Sequence, residues 1–177
     1  MNLSRRRLLA MSGGIAALAM LPPAIARPEP EVEIAMHGTA RGERVWFTPV
    51  GVAVAPSTRV RFVNRDPGNS HTATAYHPAN FERPQRVPDA ALPFHSGFLL
   101  PGEAFEVVLR APGVYDYYCL PHERAGMVGR IVVGTPDTPG WQEAAAGTAN
   151  VPAVALAALP AVAKILLHGQ VMPEEAA

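Results

Sequence analysis

The sequence predicts an all-β fold, a Greek key β-sandwich of about eight short strands, with a short helical appendage at the C-terminus. Three observations carry this expectation. Nineteen prolines and fifteen glycines interrupt the apolar runs at short intervals, which favours turns and short strands over long helices. Several of those runs alternate apolar with polar residues, the period of a strand that has one face in a core. After Gly134 the alternation stops, and apolar residues recur instead at helical spacing.

The first 26 residues are set aside as an export signal. Ser4-Arg5-Arg6-Arg7-Leu8-Leu9 is a twin-arginine pattern, an apolar stretch runs from Leu8 to Leu21, and Ala24-Ile25-Ala26 offers small residues for a peptidase. Cleavage before Arg27 and delivery to the periplasm through the twin-arginine pathway are expected. The apolar stretch is short of the roughly twenty residues a bilayer span needs, so no stable membrane insertion is expected after cleavage. Residues 27–134 are then expected to form the sandwich domain, and residues 135–177 a helical extension packed on it. Without the signal, twelve basic residues face fifteen acidic ones. No basic stripe calls for a nucleic-acid partner, and the chain is expected to be a monomer.

The elements follow in order. Val32 to Met36 alternates and turns at His37-Gly38. Val45-Trp46-Phe47 and Val50 to Val54 read as one second strand, bent or at an edge because Pro49 and Gly51 interrupt it. Thr58 to Asn64 alternates cleanly, with Val60 and Phe62 inward and Arg59 and Arg61 in water. Asp66-Pro67-Gly68-Asn69 is a turn that delivers a strand from Ser70 to Tyr76. His77 to Pro93, with four prolines, reads as a long crossing excursion with a short helical turn. Phe94 to Leu100 resumes extended character, Phe105 to Leu109 and Val114 to Cys119 follow, and Val128 to Val133 closes the sandwich. Beyond it, Asp137-Thr138-Pro139 resembles a helix start, predicting a short helix over Trp141–Ala146 that ends at Gly147. A second helix is expected from Asn150, broken at Pro160 and ending at His168-Gly169. Its stripe of Val151, Val154, Ala155, Leu159, Val162, Ile165 and Leu166 is expected to pack on a sheet face.

The chemistry concentrates between the last two strands. Cys119-x2-His122-x4-Met127 places the only cysteine, a histidine and a methionine in one loop. An exported chain with a single cysteine forms no internal disulfide, so the thiol needs another explanation. Thiolate, imidazole and thioether are soft or borderline donors, and a second imidazole would complete the Cys-His-His set with a weak axial Met that holds copper for electron transfer. His71, at the head of its strand, is the candidate. The expected metal ligands are therefore His71, Cys119, His122 and Met127, with one Cu(I)/Cu(II) ion as cofactor. Pro121 stiffens the loop, Gly126 permits a turn before Met127, and Thr72 is placed to hydrogen-bond across to the thiolate loop. His37, His77, His95 and His168 are weaker candidates, of which His95 lies near the metal end if the excursion folds over it.

The loop, with Gly113-Val114-Tyr115-Asp116-Tyr117-Tyr118 before it and Asn64-Arg65-Asp66 ahead of His71-Thr72, resembles the plastocyanin, pseudoazurin and amicyanin branch of the cupredoxins. The resemblance covers roughly residues 31–134, and the apolar tail is similar to the C-terminal helices of pseudoazurins. Thr72 stands where many members carry asparagine. The resemblance implies a blue copper protein without enzymatic activity that shuttles single electrons between a redox protein donor and acceptor by transient docking. It also implies an electron port at the edge of His122, with an apolar patch to which Pro121, Ala125 and Met127 contribute. A copper carrier or buffering protein of the export compartment is the alternative, although the chain shows no methionine-rich cluster. A copper enzyme would need a second, histidine-rich site and usually a second domain, for which the chain has no room.

Overall fold

The computed structural model describes residues 30–174, so the expected signal segment lies outside the described residues. Among the described residues, nine strands form two sheets. The first contains β1 (Glu31–Gly38), β2 (Val45–Thr48), β4 (Thr58–Asn64) and β6 (Ala104–Leu109), in the order β2-β1-β4-β6. The second contains β3 (Gly51–Val54), β5 (Thr74–Ala75), β7 (Gly113–Tyr118), β8 (Val128–Val133) and β9 (Gln170–Val171), in the order β5-β7-β8-β3-β9. Both sheets are mixed, because β1 runs parallel to β4 and β3 parallel to β8.

Alternation decides which faces meet. Ile34 and Met36 of β1, Phe47 of β2 and Val60 and Phe62 of β4 point inward and are fully buried. They pack against Tyr115 and Tyr117 of β7 and Ile131 and Val133 of β8. Phe47, Phe62 and Tyr117 meet edge to face, with ring centroids 4.8 to 6.4 Å apart, an arrangement that adds to their area burial. Cys119 and Met127 belong to the same apolar cluster. The candidate loop is thus rooted in the main core.

The strands β7 and β8 are buried along their whole length, which a sheet with one wet face would not allow. The cover is the C-terminal extension. Helices α1 (Ala153–Ala158) and α2 (Val162–His168) lie over the outer face, where Ala155 joins Tyr76, Tyr118 and Val128, and Ile165 joins Val114, Val132 and Val171. Gly51 leaves room for this contact: a Cβ there would stand 2.8 Å from Ile165 and Pro160 side-chain atoms.

Several elements differ from the sequence reading. Val45–Val54 is two strands in different sheets, because the chain turns at Pro49, which has no N–H for a ladder, and crosses from one sheet to the other. The strand expected over Ser70–Tyr76 shortens to Thr74–Ala75, because Thr72 N–H donates to the Cys119 Sγ and Ala73 N–H to the Ser96 hydroxyl instead of to a neighbouring strand. Phe94–Leu100 is held by isolated bridges at His95 and Leu99. The excursion His77–Pro93 contains turns and no helical turn. No helix forms over Trp141–Ala146: the Gln142 carbonyl accepts the Val114 N–H at 3.0 Å, which extends the chain as a bridge beside Gly113. The helical stripe packs as expected except at Val154, which is 47% exposed. The short strand β9 has no counterpart in the sequence reading; two residues are too few for a periodic signal.

Candidate metal centre

Three of the four expected donors converge. The Nδ1 of His71, the Sγ of Cys119 and the Nδ1 of His122 lie within 4.8 Å of one another. The triangle they form has edges of 3.1 Å between the imidazole nitrogens, 3.6 Å from Sγ to His71 and 3.5 Å from Sγ to His122. Imidazole and thiolate donors hold a small divalent ion at about 2.0–2.3 Å. Donors spaced like these suit one shared ion, and their chemistry is that of a site for Cu rather than for Ca or Mg.

Each donor is positioned by a different device. Cys119 directly follows β7, and its N–H donates to the Met127 carbonyl at 3.0 Å and so closes the loop. Within the loop Glu123–Ala125 forms one 3₁₀ turn. It stops at Gly126, whose φ of +80° lies in the left-handed region that favours glycine. The Met127 N–H then returns to the His122 carbonyl at 3.2 Å. Thr72 does what its place suggested: its hydroxyl accepts the Leu120 N–H at 2.8 Å, and its own N–H donates to the Cys119 Sγ at 3.3 Å. His71 pairs with Leu99 through both backbone groups, at 3.2 and 2.8 Å.

Met127 is completely buried beside Cys119 in the core cluster. It therefore contributes nothing to a surface patch, a correction to the docking surface read from the sequence. Its side chain is directed inward because the Gly126 turn hands it to β8, whose residues are all buried. His122 is half-buried and turns Nδ1 toward His71, and its loop neighbours Pro121, Arg124 and Ala125 are exposed.

Electrostatics favour neutral imidazole and an unreactive thiol. Burial, then proximity to His71, moves the His122 pKa down. Burial pushes the Cys119 thiol up to about 11, only partly offset by the Thr72 and His122 amides. The far side of His71 is occupied as well: its Nε2 lies 2.9 Å from the Asp66 Oδ2, a contact the sequence reading missed because Asp66 looked like a turn residue. Burial opposes the charge on Asp66, but hydrogen bonds from Asn69, Gly68 and His71 outweigh it and bring the carboxyl down to about 2. A carboxylate accepts only, so the proton in this contact is on His71 Nε2, and Nδ1 keeps a free lone pair.

Of the other histidines, His95 alone is wired to the site. Its Nδ1 meets the Thr74 hydroxyl at 2.9 Å, which meets the Thr72 hydroxyl at 3.0 Å. His77 caps the Ala79 N–H, His37 stacks on Trp46, and His168 ends α2. Glu123 braces the outer side of the loop: it accepts the Tyr76 hydroxyl at 2.7 Å and pairs with Arg83, whose guanidinium lies over the Tyr118 ring.

A family model described as copper binding proteins, plastocyanin/azurin family, matches residues 34–134. The chain belongs to this family. Plastocyanin of Cucumis sativus is 33% identical over 89 residues, which cover 49% of this chain and 86% of the relative. Plastocyanin of Chlamydomonas reinhardtii is 61% identical over 33 residues, which cover 19% of this chain and 23% of the relative. The chain spans about a fifth of the length of the first plastocyanins it matches. Among solved structures, a pseudoazurin from Hyphomicrobium denitrificans is 29% identical, with a TM-score of 0.44 over 60% of this chain and 77% of that one. As a cupredoxin, the chain binds copper, and the cluster of His71, Cys119 and His122 fits that ion.

Proposed function

We propose that this cupredoxin is an exported, mononuclear type 1 copper protein that carries single electrons between a redox protein donor and acceptor, and is not an enzyme. One observation carries the reading: a thiol and two imidazole Nδ1 atoms converge in a triangle in which His71 and Cys119 are buried and His122 is partly exposed. Copper, when bound, supplies the one-electron couple between Cu(II) and Cu(I).

The residues divide the work. Copper would be held by the Cys119 thiolate and the His71 and His122 imidazoles, with the Met127 thioether as a further, weaker donor. Thr72, Asp66 and the loop hydrogen bonds hold the donors in place through a redox cycle, so little reorganisation accompanies transfer. His122 is the electron port. The apolar rim for docking combines Pro121 and Ala125 with Phe98 and Leu100, which flank the partner of His71 and are 57% and 58% exposed. The twin-arginine pattern supports delivery to the periplasm, with the signal 1–26 removed and residues 27–134 and 135–177 forming the sandwich and its extension.

Repeated chemical reduction and reoxidation in the presence of a competing apo copper protein tests this reading against copper carriage. An electron carrier keeps one copper per chain through many cycles. Loss of the metal to the competitor within a few cycles would favour the carrier.

The thiol makes a further prediction. Its folded pKa lies above that of an unfolded cysteine, so in chain stripped of metal the neutral buried thiol stabilises the fold below about pH 9. That contribution, on the order of 2–3 kcal/mol for two units, is lost as pH rises through about 11. Metal binding needs the thiolate and neutral imidazoles, so Cu(II) uptake near pH 7 releases one proton per chain. Calorimetric titration in two buffers of different ionisation enthalpy measures that number, and a value near zero would mean the thiol is not a ligand.

A further inference from the structure

We propose that Asp66 is a positioning residue of the metal centre, one that fixes His71 through Nε2 and, by its negative charge one imidazole away from the metal, lowers the reduction potential. The inference rests on the copper reading above.

The site is built around the carboxylate. Asp66 is 2% exposed, and both of its oxygens are occupied. Oδ1 accepts the Gly68 N–H at 2.8 Å and the Asn69 N–H at 3.3 Å. Oδ2 accepts the Asn69 side-chain amide and His71 Nε2–H, each at 2.9 Å. None of these hydrogen-bond donors is a fixed cation. Two further residues serve the arrangement. Gly38, at the end of β1, makes room for it, since a Cβ there would lie 2.0 Å from Oδ2. Asn64 accepts the Asp66 N–H at 2.9 Å and donates to the carbonyls of Asn69 and Leu99, at 2.9 and 2.8 Å. Leu99 is the backbone partner of His71, so the turn that carries Asp66 and the segment that carries His71 are tied together.

Two consequences follow for copper. The hydrogen bond sets the tautomer that leaves Nδ1 free to ligate, and it prevents rotation of the ring. The anion also attracts the more positive oxidation state more strongly. Cu(II) is favoured over Cu(I), and an electron from an external donor is accepted less readily. A backbone carbonyl in the same place would orient the ring without the charge.

Asp66→Asn separates the two contributions, because it keeps the size and one acceptor oxygen but removes the charge. In the copper-loaded protein, the ratio of Cu(II) to Cu(I) affinity is expected to fall about tenfold, equivalent to a rise of about 59 mV measured by voltammetry. Gly38→Ala, which displaces the carboxylate, should move the potential in the same direction. Glu106→Gln, which removes an exposed charge on β6, should move it by less than a third as much. An unmoved potential in Asp66→Asn with the thiolate-to-copper band intact would overturn the proposal, since a purely structural aspartate predicts that outcome. Should Asp66→Asn fail to fold, NMR of the unmodified Cu(I) protein decides. A downfield, slowly exchanging His71 Nε2–H signal supports the proposal, and a freely exchanging one overturns it. Absence of a thiolate band in the unmodified Cu(II) protein would defeat the copper reading itself before any variant is made.

Discussion

Cys119→Ser abolishes the intense thiolate-to-copper absorption and weakens Cu(II) binding by at least about 100-fold. Loss of an outer partner of a metal ligand costs roughly 10–100-fold, and loss of the ligand itself should exceed that. Serine keeps the shape of the side chain, and the Thr72 hydroxyl would still accept the Leu120 N–H, so the loop is expected to close much as before. What disappears is the soft, covalent donor. The Thr72 N–H, 3.3 Å from Sγ, would face a hydroxyl that binds copper poorly at neutral pH. Absorption spectra after Cu(II) addition and competition against a chelator of known affinity measure both effects. A retained band would show that Sγ is not the donor.

Asp116→Ala destabilises the fold by about 3–5 kcal/mol, a large share of the 5–15 kcal/mol that holds a typical domain. Asp116 is fully buried between two arginines. Arg130 reaches its two oxygens at 2.6 and 3.0 Å, and Arg86 reaches Oδ2 at 3.0 and 2.8 Å. Those arginines also bind the extension: Arg130 donates to the Pro160 carbonyl at 2.8 Å, and Arg86 donates to the Gly147 carbonyl. One carboxylate therefore joins the excursion, β7, β8 and the tail. Its removal strands two guanidiniums with little water to reach them, and it loosens the cover over Tyr118 and Val128. Urea unfolding should show a lower midpoint, and limited proteolysis should cut first after residue 134. Unchanged stability would mean that the tail is held by its apolar contacts alone.

The parts of this protein that could be read from the sequence are those whose information is local. The loop from Cys119 to Met127 carries three donors within nine residues, and its Pro121 and Gly126 say how it turns. His71 and Thr72 could be placed because they follow a turn and precede apolar alternation. Asp66 could not be read the same way. Its signature is that of a turn, and only the backbone path through Gly68 and Asn69, with the gap left by Gly38 on another strand, brings its carboxylate to His71. Asp116 was equally hidden, since it sits among tyrosines on a strand and the sequence did not say which sheet face the helical stripe would cover. That face is dry because the tail covers it, which depends on contacts about thirty or more residues away. The same distance explains the error at Trp141–Ala146, where helix-start chemistry was overridden by pairing of Gln142 with Gly113. Met127 was rightly placed in the loop, yet its burial, which removes it from the docking face, depends on where Gly126 turns it.

Titration of the metal-free protein with Cu(II), followed by absorption and EPR, tests the account most directly. The arrangement of His71, Cys119 and His122 predicts an intense visible thiolate-to-copper band that saturates at one copper per chain, with the narrow copper hyperfine splitting of a strongly covalent Cu–S bond. Weak absorption with a wide splitting, characteristic of copper held by nitrogen and oxygen alone, would contradict it.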